Sequence, residues 1–227
     1  MTYPAKALID PANSAFIFID HQPQMAFGVA NIDRQLLKNN VVALAKLARA
    51  FNAPTILTAV ETEGFSGYIW PELMDVLRQD PIERSSMNSW DSEAFVAAVK
   101  ATGRKKLVIA ALWTEACLLF PTLSALEAGY EVYIVTDASG GTSADAHAMA
   151  VSRMVQAGAQ PMTVITVLCE LQRDWANQAT YGAVIAIAQE HMGAYGMGAD
   201  YAYTHVHKAP QRAAFPHAVR ALEAAAE

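Results

Sequence analysis

Apolar runs that alternate with segments of helical periodicity dominate the chain. Leu107 to Leu112 is a continuous apolar run, which is the pattern of a strand buried on both faces of a parallel sheet. From Thr114 onward the apolar positions follow a helical repeat, and Gly129 stands where that helix should end. Similar runs of apolar and β-branched residues predict four further strands, at 14–20, 55–60, 131–137 and 161–168, and residues 81–84 resemble a brief strand with a cation at its end. Amphipathic periodicity predicts further helices at 33–51, 71–77, 91–101, 142–157 and 169–192.

This alternation of strands and helices, without an internal repeat, predicts a doubly wound, mainly parallel sheet with helices on both faces. We expect one domain over residues 1–192, followed by a C-terminal tail over 193–227. The tail is rich in glycine, alanine and tyrosine and contains one last predicted helix at 215–226. It either packs on the domain or a neighbouring subunit, or is a partly disordered terminus.

Composition narrows the classes of partner and compartment. With 53% hydrophobic residues, 17% charged residues and a net charge of −6, the chain has no basic cluster beyond residues 104–106, so we expect no nucleic-acid partner. Only Cys117 and Cys169 are present, and no basic segment precedes an apolar core near the start, which indicates a reduced, cytoplasmic protein. The apolar runs are too short to cross a bilayer, so we expect no membrane association.

Three chemically active side chains fall at or just after predicted strand ends: Asp20, Arg84 and Cys117. Ligands bind at the carboxyl edge of open parallel sheets, and a helix start favours an anion, so we expect the Cys117 thiol to ionise easily. Simpler interpretations remain for each residue. Cys117 could be a small buried apolar side chain, Asp20 a turn cap and Arg84 a surface arginine. The loop at 61–70, rich in glycine and aromatic residues, lines a pocket, covers the core or forms a subunit contact.

Taken together, FIFIDHQ at 16–22, Arg84 and ALWTEAC at 111–117 resemble the isochorismatase-like cysteine hydrolases. FNAPTILT at 51–58, TDASG at 136–140 and CELQRDW at 169–175 are similar to the YcaC-related branch of that family. The resemblance extends from about residue 14 to residue 175. It implies a three-layer α/β/α fold around a six-stranded parallel sheet of order 3-2-1-4-5-6.

The resemblance also implies a catalytic triad. Asp20 would be the general base, Cys117 the nucleophile, and Arg84 would replace the lysine of most of the superfamily. Unlike lysine, arginine stays charged and cannot shuttle a proton. The resemblance further implies a cis peptide between Leu112 and Trp113, and an oxyanion hole made by the backbone amides of Trp113 and Cys117.

These parts fit acyl transfer through a thioester on Cys117, with a small-molecule amide or related non-peptide C–N bond as substrate. We expect the substrate pocket to include Gln22, Phe27, Glu61 and Phe65. Cleavage of isochorismate normally proceeds without the cysteine. Glu61 and Glu63 would also repel such a dianion.

No cofactor is expected. A nicotinamidase would add a metal site of aspartate and histidine after the second strand, and that segment has no histidine here. The six histidines of the chain also show no metal-binding spacing. We therefore predict no metal. The resemblance implies a homo-oligomer, a tetramer or an octamer. The alternative is a non-hydrolytic oligomeric binding or assembly protein with a vestigial or redox-sensing cysteine, because fold does not fix function.

Overall fold

The computed structural model of the protein describes residues 8–208. In this part of the chain six strands form one parallel sheet of order β3-β2-β1-β4-β5-β6, which confirms the predicted fold class and strand order. The strands are β1 (Ser14–Ile19), β2 (Thr55–Val60), β3 (Ile82–Arg84), β4 (Lys106–Ala111), β5 (Glu131–Val135) and β6 (Gln160–Met162).

Helices cover both faces of the sheet. They are α1 (Pro23–Phe27), α2 (Arg34–Ala50), α3 (Pro71–Leu77), α4 (Glu93–Ala101), α5 (Leu119–Glu127), α6 (Ala144–Gln156), α7 (Val164–Gln172), α8 (Gln178–His191) and α9 (Ala194–Tyr201). Short 3₁₀ turns lie at Ser89–Asp91 and Thr136–Ala138, and π-helical turns at Thr62–Ser66, Thr114–Leu118 and Ala202–Val206.

Alternate residues of β1 supply two separate cores. Phe16 and Phe18 pack on one face against α2, α3, α7 and α8, whereas Ile17 and Ile19 pack on the other against α4, α5 and α6. Because both faces are covered, every residue of β1 is buried, and every residue after Ser14 is apolar. The two central strands, β1 and β4, therefore hold their carboxyl ends rigidly, and these are the ends that carry Asp20 and the turn of Cys117.

Two predictions near the C-terminal end are wrong. The run at 161–168 is not one strand: β6 has three residues, and α7 begins at Val164, with the Thr163 hydroxyl accepting from the Thr166 amide at 3.4 Å. The predicted helix at 169–192 is two helices, because Arg173 adopts a positive φ of 54° between α7 and α8. The buried side chain of Gln172 stabilises this break by donating to the carbonyls of Asp174 and Asn177.

The first part of the tail is helical. Helix α9 packs on α8 through Gly196, where a Cβ atom would collide with the backbone of Ala188 and Gln189. The predicted helix at 215–226 lies outside the described residues, and the division of the chain at residue 192 stays a prediction. Among residues 8–208, no helix is both long and apolar enough to span a membrane.

Candidate active site

The structure brings Asp20, Arg84 and Cys117 together at one edge of the sheet. Asp20 directly follows β1, Arg84 ends β3, and Cys117 lies in the π-helical turn after β4. β2 lies between β1 and β3, and β1 pairs with β4 as far as Ile19 and Ala111. Parallel pairing therefore places all three side chains at the carboxyl edge, where ligands bind in this class of fold.

Asp20 and Arg84 form a buried ion pair. Arg84 Nη2 lies 2.5 Å from Asp20 Oδ2, and the two side chains are 2% and 0% exposed. Arg84 Nη1 donates to the carbonyl of Ser86, which fixes the guanidinium from the other side. The Cys117 thiol lies close enough to the carboxylate to affect its pKa, and Asp20 Oδ1 has no hydrogen-bond partner among residues 8–208. Asp20 Oδ2 is thus held by Arg84, and Asp20 Oδ1 is free to accept a proton.

The environment of Cys117 keeps its thiol protonated. Burial, followed by the charge of the nearby Asp20 carboxylate, raises the pKa of the Cys117 thiol to about 12. Arg84 and the backbone amide of Trp113 act in the opposite direction, but their effect is smaller. The expectation of an easily ionised thiol is therefore wrong for the free protein, because desolvation and the carboxylate outweigh the amides of the helix start.

The Asp20 carboxylate differs from an ordinary surface carboxylate because it is buried. Burial raises its pKa from 3.8 to about 6, although Arg84 and the hydrogen bond from Cys117 counteract the shift. At neutral pH the free protein therefore holds an ionised carboxylate beside a protonated thiol. This is the proton arrangement that a general base and its nucleophile require.

The chain turns sharply between β4 and Cys117. The peptide between Leu112 and Trp113 is cis, and the Thr114 amide then donates to the Gly140 carbonyl at 2.9 Å. The indole of Trp113 donates to the Met25 carbonyl at 2.7 Å, while its backbone amide is directed at the sulphur of Cys117. The geometry is compatible with an oxyanion hole at Trp113 and Cys117, and that role stays a prediction.

The four predicted pocket residues have different environments. Gln22 is buried and its amide is fully used: Nε2 donates to the carbonyls of Val60 and Gly67, and Oε1 accepts from the Val60 amide at 3.0 Å. Gln22 therefore fixes the end of β2 and the loop after it. Glu61 is exposed, and Phe27 and Phe65 are 67% and 62% exposed. Their contact with a substrate stays a prediction.

Sequence reasoning missed the environment of His21. Its ring is fully buried against Phe18 and Trp70, with ring centroids 6.2 and 5.4 Å apart. Nε2 lies 3.4 Å from the Ala138 carbonyl, and Nδ1 has no partner within residues 8–208. Burial lowers the pKa of His21 to about 4, so the ring is neutral at physiological pH. In the sequence, only the position of His21 directly after Asp20 indicated that it lies near the site.

Most buried polar atoms without a partner belong to segments that follow the carboxyl ends of strands. Within residues 8–208, every such side chain except Arg104 lies at or after the carboxyl end of one of the first four strands. They are Asp20, His21, Ser66, Arg84, Ser89, Glu115 and Thr122. Buried polar atoms normally have a hydrogen-bond partner, so this concentration is typical of a site that receives a polar ligand or water.

The described residues, 8–208, contain no group of three or more histidine, cysteine, aspartate or glutamate side chains arranged for a metal ion. The absence of a metal in the working protein stays a prediction.

The fold and the site define a class of protein. The isochorismatase domain matches residues 14–166, and the chain belongs to the isochorismatase family. A similar protein is the probable hydrolase YcaC of Escherichia coli (strain K12), 47% identical over 179 residues, which cover 78% of this chain and 86% of that protein. These findings confirm the family and its YcaC-related branch.

Two solved structures support the same assignment. YcaC from Pseudomonas aeruginosa, solved with hexane-2,5-diol and covalent acrylamide, is 44% identical with a TM-score of 0.80, over 86% of this chain and 96% of that one. The YcaC gene product of Escherichia coli, described as an octameric hydrolase of unknown specificity, is 43% identical with a TM-score of 0.80, over 86% and 95% of the two chains. Both share the isochorismatase-like fold predicted from the sequence.

Proposed function

We propose that this protein is a hydrolase that cleaves a small-molecule amide, or a related non-peptide C–N bond, through a thioester on Cys117. The observation that carries the proposal is the buried array of Arg84, Asp20 and Cys117, in which an ionised carboxylate lies beside a protonated thiol. Similar proteins of the same family are described as hydrolases, which supports the reaction class.

Acylation proceeds in balanced steps from these groups. Asp20 takes the thiol proton while the sulphur of Cys117 attacks the carbonyl carbon, and the carbonyl electron pair moves to oxygen. The amides of Trp113 and Cys117 donate to that oxyanion. When the carbonyl re-forms, the C–N bond breaks and the leaving amine receives the proton held by Asp20. Arg84 stabilises the ionised carboxylate and orients it without transferring a proton.

Deacylation returns the site to its starting state. Asp20, again ionised, takes a proton from a water molecule that attacks the thioester, and the carboxylic acid product leaves as the C–S bond breaks. The departing Cys117 sulphur recovers its proton from Asp20. The raised pKa of the thiol favours this last step, because a thiol with a pKa of about 12 readily takes a proton back.

One observation supports a small polar amide as the substrate. Within the site itself Asp20 Oδ1, Arg84 Nε and the neighbouring His21 Nδ1 have no hydrogen-bond partner among residues 8–208, which suits a ligand with donors and acceptors. A cytoplasmic location belongs to the same proposal. The octameric relative supports assembly of this chain into a homo-oligomer, a tetramer or an octamer.

The experiment is intact-mass spectrometry after incubation with a library of small amides. We expect a mass increase equal to one acyl group, mapped to Cys117, together with release of the amine. Cys117→Ala should show neither, whereas Cys169→Ala is the matched control, because Cys169 is exposed on α7, and should behave like the wild type. Amide hydrolysis that persists in Cys117→Ala would contradict the proposal.

One observation favours the alternative of a non-hydrolytic binding or assembly protein. A buried thiol with a pKa of about 12 is also the state of an inert structural cysteine. The same pKa disfavours a redox sensor, since oxidation follows thiolate character and exposure. The binding alternative predicts that Cys117 is alkylated slowly at every pH and that Asp20 has no influence on the rate.

A further inference from the structure

The turn that carries Cys117 is attached to the β5 side of the sheet by few backbone contacts. Pairing between β4 and β5 ends at Ile109 and Ile134, and one isolated bridge between Leu112 and Gly140 follows. Beyond it, the Thr114 amide donates to the Gly140 carbonyl at 2.9 Å. The position of the Cys117 sulphur therefore depends on what holds the start of the turn.

Side chains supply two bridges from this turn to the start of α6. Thr114 Oγ1 lies 2.8 Å from His147 Nδ1. Glu115 Oε1 accepts from the Thr142 amide at 2.9 Å and from the Thr142 hydroxyl at 2.5 Å. Thr114 is fully buried and His147 is half-buried. A buried hydroxyl needs a partner, and His147 is the only one that Thr114 Oγ1 has within residues 8–208.

The far side of these bridges is itself anchored. Gly141 donates its amide to Asn31 Oδ1 at 2.7 Å and accepts from the Ala30 amide at 2.9 Å. A Cβ atom at Gly141 would lie 2.6 Å from Glu115 Oε2 and 3.2 Å from His147 Cβ, so these two side chains close tightly over the glycine. The segment at 140–147 is thus a fixed support rather than a free loop.

We propose that His147 is a positioning residue for the nucleophile. Through Thr114 it fixes the start of the turn, and the turn places Cys117 three residues later beside Asp20. Glu115 and Thr142 form the second bridge of the same support. This assignment rests on the proposed function, since it gives His147 a role in the reaction of Cys117. Misplacement of reacting atoms by about 1 Å can cost about 100-fold in rate, so a looser turn should slow the chemistry measurably.

The test is the second-order rate of Cys117 alkylation by iodoacetamide, followed by peptide mass spectrometry, with Cys169 as internal comparator. We expect His147→Ala and Thr114→Val each to slow the reaction about tenfold. The double variant should also be about tenfold slower rather than about a hundredfold, because the two substitutions break the same contact. His147→Asn should restore most of the rate, since its amide can reach the position of Nδ1. Met149→Ala, exposed on the same helix, is the matched control and should leave the rate unchanged.

If His147 had a purely structural role, His147→Ala would lower thermal stability, but the alkylation rates of the single and double variants would not show the expected non-additivity. Multiplicative effects in the double variant, or a His147→Ala rate equal to that of Met149→Ala, would overturn the assignment. If His147→Ala does not fold, Thr114→Val decides the matter, because it removes the hydroxyl from the same contact and keeps the shape of the side chain. A slower reaction supports the proposal, and an unchanged rate overturns it.

Asp20→Asn, measured in parallel, separates this inference from the proposed function. If Asp20→Asn slows alkylation but His147→Ala does not, only the positioning role fails. If Asp20→Asn has no effect, the account of Cys117 as a base-assisted nucleophile fails, whatever His147 does.

Discussion

Replacing Asp20 with asparagine should slow the acylation and the alkylation of Cys117 by about 100-fold or more at neutral pH. Burial is the largest cause of the raised pKa of the Cys117 thiol and remains in the variant, so the thiol stays mostly protonated at neutral pH even though loss of the Asp20 charge lowers that pKa. The Asp20 carboxylate, with a pKa of about 6, is ionised and can take the proton, whereas an asparagine amide cannot. Stopped-flow measurement with iodoacetamide, and with any amide substrate found, gives the two rates.

A matched control is Asp33→Asn. Asp33 caps α2 by accepting from the Leu36 amide at 2.9 Å, and asparagine caps helices equally well. This variant removes a carboxylate charge that is not among those shifting the pKa of Asp20 or Cys117, and it should react like the wild type. An Asp20→Asn protein with most of its reactivity left would show that the thiol loses its proton by another route.

Removing the cation should have the second large effect. Arg84→Ala leaves Asp20 buried without its partner, and breaking a buried ion pair in this way costs about 3–5 kcal/mol in the free energy of unfolding. The pKa of Asp20 should rise further above about 6, and the thiol should become harder to ionise, because Arg84 lowers both values. Urea unfolding and the pH dependence of Cys117 alkylation measure the two consequences.

Arg84→Lys is the conservative comparison. It keeps the charge but loses the fork that contacts Asp20 and Ser86 together, so we expect a smaller loss of both stability and rate. Cys169 should show no shift in either variant. If Arg84→Ala leaves the alkylation profile of Cys117 where it was, Arg84 is not the cation of the reaction.

The meeting of Asp20 and Arg84 could be predicted because it depends on strand ends alone. Each residue stands at the end of a predicted strand, and parallel pairing brings those ends to one edge of the sheet regardless of how the loops fold. The cis peptide after Leu112 came from the family resemblance, since nothing in the apolar pattern of β4 indicates it.

The pKa of Cys117 could not be predicted in the same way. A helix start favours the thiolate, but the net result depends on how deeply the sulphur is buried and how close the carboxylate lies, which only tertiary structure decides. The contact of His147 with Thr114 also escaped prediction. The two residues are 33 positions apart, and no sequence pattern indicates which residue a histidine in the first turns of a helix will contact.

The error at α7 has a different cause. A short apolar run after a proline fits both a buried strand and a buried helix, and periodicity cannot separate them over so few residues. The helix begins where Thr163 caps it and Asp137 Oδ1 accepts from the Val164 amide at 2.9 Å. That second contact joins two segments far apart in the sequence.

The pH dependence of Cys117 alkylation, with Cys169 in the same sample, tests the central claim most directly. If Asp20 takes the proton from the thiol, the rate at Cys117 should rise as Asp20 ionises, with a midpoint near its pKa of about 6, and then stay level above about pH 7.5. Cys169 should react only in the alkaline range, as its own thiol ionises, because burial raises the pKa of that thiol. A Cys117 rate that rises only in the same alkaline range, in parallel with that of Cys169, would contradict the account, because the nucleophile would then ionise without Asp20.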